Sequence, residues 1–226
     1  MLQHRGQDAA GMVVCEPSGK LNSRKSKGYV RDVFQQNHMN NLQGNLGIGH
    51  VRYPTAGGIG KEFAQPMYVN TPYGISLAHN GNLTNSKKLA AELFHAERRH
   101  INTDSDSEVL LNIFALELSK QEAVFPKPKD FFTAVEKTHL RINGAYAVVA
   151  LVTGYGILAF RDPLGIRPLS IGIRKGKNRN EYVVSSETAL FSSTGFKFLR
   201  DVEPGEAVFI DNAGKIFSQQ CSTSSQ

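Results

Sequence analysis

Asn80, Arg52 and Asp106 are the polar residues of this chain whose types could jointly hold a small zwitterion carrying an amide. Asn80 stands in the stretch His79-Asn80-Gly81-Asn82-Leu83-Thr84-Asn85. A side-chain amide donor beside a glycine backbone N–H is the pairing an oxyanion hole requires. Asn-Gly is also the commonest tight-turn dipeptide, so the stretch alone reads equally as a plain turn. Arg52 can hold a carboxylate through two parallel hydrogen bonds; standing alone it reads as a surface arginine. Asp106 can pair with an ammonium group or complement the positive end of a helix dipole. Together, an arginine for a carboxylate, an aspartate for an ammonium, and Asn80 with Gly81 for a carbonyl oxygen describe recognition of an α-amino acid with a side-chain amide.

These residues need elements to carry them. Residues 73–78 read as a short buried strand and 83–94 as a helix, with Leu89/Leu93 and Ala90/Phe94 spaced i,i+4 on one face. Asn80-Gly81 is therefore expected in a strand-to-helix turn, where Gly81 can take positive φ. Arg52 leaves a glycine-rich strand over 45–51 and opens a Pro- and Gly-rich loop over 52–60. Ser105 and Glu108 fit a capping box. That box places Asp106 in the first turn of a helix whose apolar stripe is Val109, Leu110, Ile113, Phe114 and Leu118. A third helix is expected over 131–140. Strands follow over 145–152, 156–161, 169–173, 181–185, 207–210 and 215–217, with a short helix over 187–192. Strands, a helical middle, then strands again indicate an α+β layered fold. One domain over 1–217 and a disordered Ser/Gln-rich tail over 218–226 are expected.

Composition narrows the classes. The chain has 226 residues, 40% of them hydrophobic, which suits one sizeable core. The net charge of +6 is scattered rather than gathered in a stripe, so nucleic acid is not the expected partner. No apolar run approaches 18 residues and no apolar h-region follows Met1, so neither a membrane span nor a leader is expected, and a cytoplasmic location is. Cys15 and Cys221 lie far apart in unlike contexts, which gives no disulfide framework. Cys15, mid-strand, reads as a core residue. His95 and His100 stand at i,i+5 rather than the i,i+4 of a zinc protease helix, and no Walker loop or Gly-x-Ser-x-Gly elbow is present. No metal site is expected.

Five ordered motifs carry a resemblance. They are Leu2-Gln3-His4-Arg5-Gly6-Gln7-Asp8-Ala9-Ala10-Gly11, His50-Val51-Arg52-Tyr53-Pro54-Thr55-Ala56-Gly57, His79-Asn80-Gly81-Asn82-Leu83, Ser105-Asp106-Ser107-Glu108, and Arg161-Asp162-Pro163-Leu164-Gly165-Ile166-Arg167-Pro168-Leu169. In this order they resemble the class II glutamine amidotransferases, in the wording of the amidophosphoribosyltransferase branch. The resemblance implies an N-terminal-nucleophile hydrolase fold, a four-layer αββα sandwich of two antiparallel sheets. It implies release of ammonia from glutamine, passed to phosphoribosyl pyrophosphate to give 5-phosphoribosylamine, the first step of purine biosynthesis. It assigns Arg52 to the glutamine α-carboxylate, Asp106 to its α-ammonium, Asn80 and Gly81 to the oxyanion hole, and Thr55 to the loop that closes over substrate. Arg5 and Gly6 would line the site and Tyr53 would face the acceptor domain.

The family's nucleophile is an N-terminal cysteine, which forms a glutamyl thioester. No cysteine of this chain matches it. The resemblance leads us to expect a strand and helix of roughly 20 residues ahead of Leu2. It also leads us to expect a Mg-dependent phosphoribosyltransferase domain beyond Gln226, and a homo-oligomer at full length. No cofactor is expected within this stretch; a cluster would need four thiolates, and the chain has two, so an iron–sulfur centre stays open. The alternative is a nucleophile-free relative that binds glutamine or a partner without turnover.

Overall fold

The computed structural model describes residues 2–53, 60–121 and 123–222. In chain order the elements are β1 (Ala9–Cys15), β2 (Leu21–Lys27), α1 (Val30–Val33), α2 (Gln36–Asn41), β3 (Leu46–Arg52), β4 (Met67–Val69) and β5 (Ile75–Leu83). The helices α3 (Ser86–His95), α4 (Asp106–Ser119) and α5 (Pro128–His139) follow. Then come β6 (Gly144–Val152), β7 (Gly156–Arg161), β8 (Ser170–Lys175), β9 (Asn180–Ser185), α6 (Ala189–Ser193), β10 (Lys197–Asp201), β11 (Glu206–Asp211) and β12 (Ile216–Gln220).

A six-stranded antiparallel sheet, β12-β11-β7-β6-β5-β4, forms the centre. It is apolar on both faces, which is why β6 reads Ala-Tyr-Ala-Val-Val-Ala-Leu-Val without polar alternation. One face, with Leu77, Val148, Ala150, Leu158, Phe160 and Phe209, packs under α3, α4 and α5. Helix α4 is buried on nearly every side from Val109 to Leu118. The opposite face receives two smaller sheets. Val13, Cys15 and Ile48 of β2-β1-β3 meet Leu151, and Leu169, Ile171 and Val202 about β10-β8-β9 meet Ala147, Ala159, Val208 and Ile210. On the outer face of β8, Phe191 of α6 covers Gly172, where an added Cβ would lie 3.0 Å from its ring. This is the α+β layered arrangement expected. The second layer, however, is divided among the described residues: β3 and β9 each have one pairing neighbour, and both border one cavity of about 880 Å³.

Several local expectations are corrected. The tail does not begin at residue 218: β12 pairs through Gln220 with β11, and Cys221 is buried, its N–H on Gly205 O at 2.9 Å. An edge strand needs only main-chain pairing, so the polar side chains of Ser218, Gln219 and Gln220 concealed it. Residues 223–226 lie outside the described residues. Strand β10 was not expected, because its Lys-Phe-Leu-Arg-Asp sequence lacks clean alternation and its pairing with β8 is irregular. Phe94, placed on the apolar face of α3, is 57% exposed; Leu89 and Leu93 are buried there and Ala90 packs partly buried beside them. Ser105 is the N-cap of α4 but its side chain makes no cap bond. Glu108 reaches past it to the Asn102 and Thr103 N–H groups at 2.9 and 2.8 Å, so it clamps the entering loop.

His139, the buried last residue of α5, has its Nδ1 2.6 Å from Tyr146 Oη. Burial pushes its pKa down to about 4, against a smaller opposing pull from Asp162. A histidine held neutral in the fold but free to protonate when unfolded costs stability as pH falls through its unfolded value. Stability should be full above about pH 6.5 and fall by about 3 kcal/mol toward pH 4 from this group. Urea unfolding across that range should show a shallower slope in His139→Gln than in the parent.

Candidate active site

A polar pocket of about 440 Å³ opens where β3, β5, the start of α4 and the loop after β7 meet. It is lined by Arg5, Arg52, Tyr53, Asn80, Gly81 and Asp106, with His50, Gln65, His79, Ser107 and Arg167 among its other walls. That size suits a small ligand. Six of the eight residues expected from sequence are therefore brought together. Gly6 does not line the pocket; it lies beneath Arg52, where a Cβ would meet the Arg52 carbonyl at 2.6 Å. Thr55 lies outside the described residues.

Asn80 and Gly81 are not in a turn. They belong to β5, paired with Ala147 and Tyr146 of β6, and the helix begins only at Ser86. The strand nevertheless exposes its edge. β4 pairs with β5 only at residues 75–77. Beyond that, His79 N donates to Gln65 Oε1 at 2.7 Å and Leu83 N to Asp106 Oδ2 at 3.0 Å, both away from β6. Gly81 lies between them in the same alternating set. Its partner Tyr146 turns its own N–H and C=O to Asp162, at 3.3 and 2.8 Å. The alternation of a strand thus directs the Gly81 N–H toward the pocket, between Gln65 and Asp106. Gly81 has φ +143°, and a Cβ there would fall 1.9 Å from Ala145 O, so only glycine fits.

Arg52 ends β3 rather than beginning a loop, and it is 6% exposed. Its Nη1 pairs with Asp8 Oδ2 at 2.5 Å, and its guanidinium lies 5.4 Å from the Phe63 ring centre. A buried arginine held by one carboxylate keeps a planar fork in a fixed orientation. Arg167 is held differently. Asp162, fully buried, accepts the N–H groups of Leu164, Ile166 and Arg167, which fixes the loop that brings Arg167 to the pocket.

His79 Nδ1 lies 2.8 Å from Ser107 Oγ, and its Nε2 is 3.9 Å from Asp106 Oδ2. Burial lowers the His79 pKa, Asp106 opposes and Arg167 adds to the lowering. The 3.9 Å contact is not an ion pair, because burial disfavours the charged ring and the distance exceeds a hydrogen bond. Ser, His and Asp are the residue types of a hydrolytic triad, but Ser107 is 1% exposed, so its hydroxyl is not presented for attack. Neither cysteine lines this pocket: Cys15 lies in β1, and burial together with Glu136 pushes the Cys221 thiol up to about 12. Asp8, His50, His79 and Arg167 were not singled out from sequence. All four fall inside the ordered motifs, Asp8 in the first, His50 in the second, His79 in the third and Arg167 in the fifth, which was the available signal.

The layered α+β architecture, with an amide donor and a strand-edge N–H over a pocket holding an arginine and an aspartate, defines a glutamine-handling member of the N-terminal-nucleophile hydrolase fold. Residues 59–193 match the glutamine amidotransferase domain family, and the chain belongs to that family. It is similar to the amidophosphoribosyltransferase of Escherichia coli, 54% identical over 222 residues that cover 98% of this chain and 44% of that protein. The amidophosphoribosyltransferase of Schizosaccharomyces pombe is 48% identical over 214 residues, covering 95% of this chain and 40% of that protein. Among solved structures, glutamine phosphoribosylpyrophosphate amidotransferase from B. subtilis, complexed with ADP and GMP, superposes with a TM-score of 0.80 at 35% identity, over 98% of this chain and 44% of that one. A glutamine amidotransferase class-II domain protein from Silicibacter pomeroyi superposes at 0.56 with 14% identity, covering 95% of this chain and 91% of that one, and bears on the fold alone. The chain spans less than half the length of these amidophosphoribosyltransferases.

Gly81→Ala should destabilise the chain by about 2 kcal/mol or more, since it adds backbone strain to a clash with the next strand. A lowered urea midpoint with unchanged slope would register this; an unchanged midpoint would refute the close approach.

Proposed function

We propose that the pocket binds L-glutamine, with Arg52 on the α-carboxylate, Asp106 on the α-ammonium, and Asn80 Nδ2 with Gly81 N–H on the side-chain carbonyl. The observation that carries this reading is the strand edge at Gly81, where one N–H is aimed at the pocket between two that are already engaged. Arg52 and Asp106 border the same pocket and supply charges opposite to those of a zwitterion. When a thiolate attacks the amide, negative charge gathers on the carbonyl oxygen, and two preorganised donors stabilise it. Tyr53, 68% exposed at the pocket mouth, is suited to meet a neighbouring domain, and Arg5, tied to Glu187 at 2.8 Å, to close the wall near the nucleophile.

In the whole protein, the liberated ammonia would go to phosphoribosyl pyrophosphate in a second domain, giving 5-phosphoribosylamine for purine synthesis, as the names of the relatives suggest. Mg²⁺ would serve the pyrophosphate leaving group in that domain, and the full-length protein would assemble as a homo-oligomer in the cytoplasm. In the described residues, no helix is long and apolar enough to cross a membrane. A second reading, favoured by the absence of either cysteine from the pocket lining, is that these 226 residues alone bind glutamine without hydrolysing it.

Calorimetry separates these readings. L-glutamine should bind the parent chain, and Asp106→Asn should weaken binding at least tenfold, because a neutral amide no longer balances the ammonium. Equal affinity in parent and variant would refute the assignment. A coupled assay should detect no glutamate from this chain; release above background would reject the second reading.

A further inference from the structure

Asn80 can serve as an oxyanion donor only in one of its two amide orientations. Rotated by half a turn, it would present its oxygen to the pocket and repel the developing charge. The neighbour that decides is His50. It lies on β3, two residues before Arg52 and on the same face, and its Nε2 is 3.2 Å from Asn80 Oδ1. A carbonyl oxygen only accepts, so this contact requires the proton on Nε2. Burial, with His79 and Arg52 acting in the same direction, pushes the His50 pKa down to about 4; the hydrogen bond to Asn80 and the nearby His79 backbone oppose it. The ring therefore carries a single proton near neutral pH. His50 Nδ1 is buried without a partner among the described residues. A proton placed there would be an orphaned donor and would strand the contact to Asn80. The lone pair left there instead costs less than a lost N–H bond, because orphaned buried donors are the rarer fault.

We propose that His50 is a positioning residue for the oxyanion site: its Nε2–H holds Asn80 Oδ1 and so turns Asn80 Nδ2 into the pocket. The inference rests on the assignment of Asn80 to the glutamine carbonyl. It makes β3 responsible for two parts of the site, since the strand that delivers Arg52 to the carboxylate also sets the amide.

The test joins a spectroscopic signature to a binding comparison. Long-range proton–nitrogen correlation on the labelled chain should show His50 as the Nε2–H tautomer; the Nδ1–H tautomer would overturn the proposal directly. Binding is then compared for L-glutamine and L-norvaline, which shares the α-groups but lacks the amide. His50→Leu should weaken glutamine about tenfold, the scale of one hydrogen bond, and leave norvaline unchanged. His50→Gln, which restores an N–H donor, should recover affinity to within about threefold. The double variant His50→Leu/Asn80→Ala should bind no more weakly than Asn80→Ala, because both act through one contact. If His50→Leu weakens both ligands equally, the histidine is merely structural and the proposal falls. If Asn80→Ala weakens glutamine but His50→Leu does not, the proposal falls while the functional reading stands. If Asn80→Ala has no effect, the functional reading fails and takes the proposal with it.

Discussion

The pocket depends on β5 losing its β4 neighbour after three residue pairs. A strand has hydrogen-bonding groups on both edges, and a central strand spends them on its neighbours. Here one edge of β5 stays paired to β6 along its whole length while the other is released from His79 onward. The freed N–H groups of His79 and Leu83 are taken by the side chains of Gln65 and Asp106, which leaves Gly81 to face the pocket. A backbone donor held by the sheet behind it is already aligned, so it needs no reorganisation when charge develops. That rigidity requires a glycine, because Ala145 O occupies the place a side chain would take.

The charged groups are held by the same principle of fixed geometry. Asp8 holds Arg52, and both are nearly sealed from solvent. Removing either partner would strand a buried charge, which is costlier than the net worth of the pair. Asp162 organises a loop rather than a partner charge, gathering N–H groups from residues 164 to 167. Asp106 does two things at once. It accepts the Leu83 N–H, which docks α4 against β5, and it leaves its remaining acceptor capacity toward the pocket.

The layers divide the work. The helical side of the central sheet supplies the main core, with α4 buried almost throughout. The site lies where the layers meet: β3 and the loop after β7 come from the opposite side, Asn80 and Gly81 from the central sheet and Asp106 from the start of α4. The two small sheets of that opposite side leave the edges of β3 and β9 along one cavity that shares Arg5, His50, Val51, His79 and Asn80 with the polar pocket. The polar site therefore opens onto a cavity bordered by two strand edges.

Much of this was legible in the residues themselves. The i,i+3 and i,i+4 spacing through Val109, Leu110, Ile113 and Phe114 identified α4, and the strands expected over 145–152 and 156–161 are β6 and β7. The residue types at 52, 80, 81 and 106 pointed to an amino acid with an amide before any element was placed. What sequence could not decide was which edge of which strand would be free. Asn80-Gly81 looked like a turn because local propensity favours one; pairing with β6 overrode it, since the sheet supplies more hydrogen bonds than a turn. Nor could it link Asp8 to Arg52 or His50 to Asn80 in space. The 1st and 3rd strands become neighbours only when they pair in one sheet, and the 3rd and 5th only when the layers stack. Residue chemistry and period are local properties of a chain; the partner across a sheet is not, and it was the partners that turned those residue types into a site.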